Sequence, residues 1–111
     1  MKLEDIVKEL HLKVHTGGNL LGREVSGGYA GDLLSDVLAH ARKDSVWVTL
    51  HTHANIVAVA TTKEISGIII VQARVPDAQT TKSAVENMVP ILISSFPAFE
   101  TVSRLNKLGV A

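Results

Sequence analysis

Five consecutive residues, Gly67–Val71 (GIIIV), carry no polar side chain. A strand made of them is apolar on both faces, so both faces need cover, which is the condition of a parallel sheet packed between helices. The flanking sequence supplies the helices. Leu3, Ile6, Val7 and Leu10 fall at i, i+3, i+4 and i+7, a short helix with Glu4 and Asp5 in its first turn. His11–Val14 reads as a first strand closed by the Thr16-Gly17-Gly18-Asn19 turn, and Arg23–Gly27 as a second.

From Asp32 onward the pattern is regular. Asp32 is the expected N-cap of a helix whose face is Leu33, Leu34, Val37, Leu38 and Ala41. Ser45–Leu50 (SVWVTL) is strand-like, and Ala54–Lys63 is read as a helix because no hairpin turn flanks it. Thr81, Ala84, Val85 and Met88 stripe the next helix, Ile91–Ser94 is the last strand, and Phe99, Val102 and Leu105 face inward on a helix that Gly109 ends. Phe96 is read as core as well. The order from residue 32 is α-β-α-β-α-β-α, so right-handed crossovers predict a three-layer α/β/α fold with a mostly parallel central sheet.

At 111 residues the chain has the length of one domain, 1–111, without an evident linker. Lysine plus arginine (11) equals aspartate plus glutamate (11), so no net field attracts nucleic acid or an anionic membrane. The count of zero cysteines excludes disulfides, thiolate metal sites and a cysteine nucleophile. The N-terminal MKLEDIVKEL lacks a signal-peptide core, and no apolar run approaches the roughly 20 residues of a membrane helix. The expected setting is the cytoplasm.

Catalytic patterns are missing. Gly22 and Gly27 have P-loop spacing, but Gly28 and Tyr29 stand where Lys and Ser/Thr belong, and neither G-x-S-x-G nor H-E-x-x-H occurs. No catalytic residue is therefore assigned, and the chain is expected not to be an enzyme. Gly27–Gly31 reads as a turn into a helix; its bare N–H groups suit a phosphate, although an Asp32 cap would occupy the same donors. His51 and His53, two apart at a strand end, can present imidazoles to one face. A metal there needs a third ligand, from His15, Asp32 or Asp77, against the plainer reading of polar loop residues with Asn55 capping the next helix. No metal site is assigned. Ile56–Ala60 is apolar on every side. Either a second copy covers it or the sheet and a neighbouring helix do, and the first reading, with Val57 or Val59 at the interface, is preferred.

The segments EVSGGYAGDLLSDVL (Glu24–Leu38), WVTLHTHANIVAVA (Trp47–Ala60), GIIIV (Gly67–Val71) and FETVSRLNKLG (Phe99–Gly109) resemble the DRTGG domain family, which the chain matches over residues 23–109, leaving 1–22 as an N-terminal helix and turn. The likeness is greatest to small stand-alone members. Relatives accompany catalytic units in some inorganic pyrophosphatases and phosphate acetyltransferases and, more distantly, in HPr kinase/phosphorylase. The resemblance implies assembly and regulation, with the chemistry done elsewhere, and favours a homodimer. The namesake residues are absent: by element order the Asp-Arg pair falls on Thr52 and His53, and the Thr-Gly-Gly on Val71, Gln72 and Ala73.

The resulting expectation is a non-catalytic regulatory homodimer. A nucleotide or similar anionic metabolite would bind in the crevice at the carboxyl ends of the parallel strands, lined by Gly28, Tyr29, His51, His53, Asn55 and Gln72. The competing expectations are a docking protein for a metabolic enzyme and a histidine-based metal binder. No cofactor is expected.

Overall fold

Ile68 and Ile70 turn to one face of the sheet, Ile69 and Val71 to the other, and all four are fully buried. The computed structural model describes residues 1–111. Five strands, β1 (Lys13–Thr16), β2 (Gly27–Ala30), β3 (Ser45–Thr49), β4 (Gly67–Ile70) and β5 (Ile91–Ile93), form one sheet in the order β1-β5-β4-β3-β2. Strands β2 to β5 are parallel, and β1 pairs antiparallel with β5 at one edge. Helices α1 (Leu3–Leu10) and α5 (Ala98–Lys107) cover one face; α2 (Leu34–His40), α3 (Asn55–Thr62) and α4 (Ala78–Glu86) cover the other. This is the three-layer, mostly parallel architecture that the sequence predicts.

Four helices end the same way. After α1, α3, α4 and α5 one residue turns left-handed: His11, Glu64, Met88 and Gly109. The N–H of the following residue then bonds back to the last turn, Leu12 to Val7, Ile65 to Ala60, Val89 to Ala84 and Val110 to Leu105, at 2.9–3.0 Å. Each of those residues is apolar and buried, so the turn that satisfies the helix carbonyls also returns the chain to the core. Only one of the four positions is glycine.

Several expected faces are corrected. Strand β2 is Gly27–Ala30 rather than Arg23–Gly27, because the earlier residues are taken by the N-terminus: Leu3 N–H donates to Arg23 O at 2.9 Å and Val25 N–H to Met1 O at 2.7 Å. The Gly27–Gly31 segment is therefore paired strand, not a bare turn, and Gly31 N–H itself donates to Val48 O at 3.1 Å. Strand β1 is displaced toward Thr16, whose hydroxyl donates to Val89 O and accepts from Ile91 N–H at a bulge. Leu33 precedes α2 as its cap residue and is exposed, as is Leu38. Helix α4 buries Thr80 and Ala84 while Val85 and Met88 are exposed; the Thr80 hydroxyl, donating 2.7 Å to Thr52 O, sets the helix's rotation.

Two further corrections bear on assembly. Ile56, Val57, Val59 and Ala60 are buried within the single chain, between the sheet and the neighbouring helices, so neither Val57 nor Val59 is available to a second copy. Phe99 points outward and is 90% exposed. Leu105 is buried and Val102 half-buried against the core as expected, but the inward place expected for Phe99 is taken by Thr101, bonded to the Ser94 hydroxyl at 2.9 Å. Phe96 is half-buried, with the Arg104 guanidinium 4.0 Å above its ring.

Candidate functional site

The parallel strands β2, β3 and β4 all deliver their carboxyl ends to one end of the sheet, where their helices begin. In an open α/β sheet that end is where ligands bind. Here the loops after β2, β3 and β4 enclose a hollow of about 260 Å³ lined by Asp32, Leu50, His51, Thr52, His53 and Arg74.

Most of its polar groups are already engaged. The Asp32 carboxylate does not cap α2; it accepts the Thr49 hydroxyl at 2.8 Å and the Leu50 N–H at 2.7 Å, which bends the chain out of β3. The His51 ring closes onto the Asp32 carbonyl, and His51 N–H donates to the Thr49 hydroxyl at 3.2 Å. His53 turns away to the Asp77 carboxylate, Nδ1 to Oδ2 at 3.0 Å. Thr52 O accepts both the Asp77 N–H at 3.1 Å and the Thr80 hydroxyl, so the loop after β3 is tied to the start of α4. Arg74 is exposed and makes no ion pair, which leaves one uncommitted full charge on the wall.

Of the six expected ligand residues, the structure brings His51 and His53 to this hollow. Gly28 and Tyr29 line another, of about 100 Å³, with Val102 and Val110. The Tyr29 side chain lies across β2 from it, its hydroxyl donating to Asp36, and that bond, then desolvation and the Asp36 charge, raise its pKa above the usual 10.0. Asn55 begins α3, exposed and without a capping bond, and Gln72 is exposed in the loop after β4, outside the lining. Arg74 went unnoticed because a single arginine in a loop resembles any solvated charge.

The histidines do not converge for a metal. His51 and His53 face different partners, His15 is spent on the Thr81 hydroxyl at 2.9 Å, and no three His, Asp or Glu side chains gather as a ligand set.

No family model and no curated protein matches the sequence. A solved structure does match in shape: the CBS and DRTGG domains of the regulatory region of Clostridium perfringens pyrophosphatase, complexed with the activator diadenosine tetraphosphate. The TM-score is 0.72 at 12% identity, covering 93% of this chain and 45% of that one. The fold is DRTGG-like. The chain spans less than half the length of that regulatory region. Gln72 and Ala73, where element order places the DRTGG family's two glycines, have φ of 60° and 53°, a conformation that glycine adopts without steric cost. The loops after β3 and β4 are neighbours at the strand-end crevice: His53 lines it from one and Arg74, next after Ala73, from the other.

Proposed function

We propose that this chain is a non-catalytic regulatory module that acts as a cytoplasmic homodimer and binds a nucleotide or similar anionic metabolite in the strand-end crevice. The observation that carries the reading is the likeness to a regulatory region solved with a dinucleotide activator. Local chemistry supports it: Arg74 offers an unpaired guanidinium suited to phosphate, while the carboxylates of Asp32 and Asp77 are occupied by donors of their own. His51, His53 and Asn55 would complete the contacts, with Gln72 reached from the same loop as Arg74.

Thermal unfolding with a panel of mononucleotides and dinucleotides tests this. A true ligand at a hundredfold excess over its Kd stabilises the protein by about 2.7 kcal/mol, a shift of several degrees. The shift should vanish in Arg74→Ala and in His51→Ala/His53→Ala. A parent that no nucleotide stabilises defeats the ligand reading and leaves docking on a metabolic enzyme in its place. A response to zinc alone, lost in the double histidine variant, would support the metal reading.

A further inference from the structure

The loop that carries Arg74 is strained. Gln72 and Ala73 are consecutive non-glycine residues at φ of 60° and 53°, and the Arg74 N–H returns to Val71 O at 3.3 Å. That is the pattern of a type I′ turn, whose two central positions favour Asn and Gly because a Cβ crowds the backbone there. Length does not force it. The connection from β4 to α4, Val71–Asp77, is longer than most strand-to-helix loops. The turn is held from the neighbouring loop instead: Gln72 N–H donates to Phe96 O at 2.9 Å and Ala73 N–H to Ser94 O at 2.8 Å.

Those two carbonyls are themselves fixed by α5. The fully buried Ser94 hydroxyl meets that of Thr101 at 2.9 Å and accepts the Phe96 N–H at 3.2 Å. The Phe96 ring is pinned by the Arg104 guanidinium, 4.0 Å from its centroid, which Glu100 holds through two bonds of 2.8 and 3.0 Å. Neither Ser94 nor Thr101 lines the crevice.

We infer that Ser94 and Thr101 are positioning residues for the crevice: through the Ser94 and Phe96 carbonyls they hold the strained turn that sets Arg74 on its wall. This rests on the reading of the crevice as the ligand site. Strained backbone persists only where its surroundings over-determine it, and here two main-chain bonds backed by a buried hydroxyl pair do so. The result is an arginine whose main chain is ordered in advance, so less freedom is lost when its guanidinium closes on a phosphate.

Nitrogen-15 relaxation of the full chain reads the turn without a ligand. The Arg74 N–H should be as rigid as the β4 amides, with an order parameter of about 0.85, in the parent and in Thr101→Ser, which keeps the hydroxyl. Ser94→Ala and Thr101→Val should lower it to about 0.6. Calorimetric titration with AMP, ATP and NAD should show Kd raised about tenfold in those two variants alone. Thr16→Val removes another buried hydroxyl, at the opposite end of the sheet beside Ile91, and should leave both readings parental. An Arg74 already mobile in the parent, equally rigid in every variant, or loosened in Thr16→Val as well overturns the inference alone. So does a loosened Arg74 with an unmoved Kd. A parent that binds none of the three nucleotides overturns the crevice reading, while the relaxation measurement still decides whether the turn is held as inferred.

Discussion

Thr49, the last residue of β3, donates its hydroxyl to the Asp32 carboxylate at 2.8 Å, joining two parallel strands just where both leave the sheet. The Thr49 hydroxyl also accepts the His51 N–H, so one carboxylate holds the wall of the crevice through two successive residues. Asp32→Ala strands a 2% exposed threonine and the Leu50 N–H without their acceptor. Removing an acceptor from groups of this kind costs about 1–3 kcal/mol. Urea denaturation should show that loss, and a midpoint equal to the parent's would mean that water replaces the carboxylate at no cost.

The parallel sheet was legible because GIIIV cannot be satisfied by any one-sided arrangement. The rotation of α4 and α5 was not. Thr80 and Thr101 are buried because their hydroxyls find Thr52 O and the Ser94 hydroxyl, partners distant in sequence that a hydropathy stripe does not register. A stripe that takes Thr81 rather than Thr80 inward on α4, and passes over Thr101 on α5, turns the two helices toward Val85 and Phe99, which the structure leaves in solvent. Likewise α3 was seen to be apolar all round, but whether its cover came from within depended on α2 and α4 both packing beside it, a tertiary fact. His51 and His53 were visible as a pair at a strand end. Their divergence toward Asp32 and Asp77 was not, since loop direction follows from hydrogen bonds that spacing alone does not fix.

Helix ends were the least legible feature, and they yield a second prediction. Met88 has φ of 57°, a left-handed conformation in which its side chain crowds the backbone, and that side chain is exposed. An ordinary residue loses about 1–2 kcal/mol there, of which glycine recovers part after its own extra chain entropy, roughly 0.5–1 kcal/mol. Met88→Gly should therefore stabilise the protein, by up to about 1 kcal/mol, even though it removes a side chain. Gly109→Ala, at φ of 103°, should do the reverse. Chemical denaturation of both variants checks the pair, and a destabilised Met88→Gly would show that the methionine makes packing contacts outweighing its backbone strain.

The third prediction concerns alkaline pH. The Tyr29 hydroxyl donates to Asp36, and this bond is the largest cause raising the phenol's pKa above 10.0, followed by desolvation and the nearby carboxylate charge. A raised pKa means that the folded chain holds this proton more tightly than the unfolded chain does. The resulting stabilisation is complete below the unfolded value near 10 and is lost as pH climbs through the folded value above it. Tyr29→Phe lacks the bond at every pH, while Asp36 keeps its contact with His40 Nδ1 at 3.1 Å. The parent should thus exceed the variant in stability by a constant margin from neutral pH to about 9, and the margin should shrink as pH rises above the unfolded value of about 10. Urea unfolding of both proteins at about pH 8 and about pH 11 measures it. A margin that stays the same at the two pH values would show that Tyr29 stabilises the β2 edge by packing on α2 rather than through its proton.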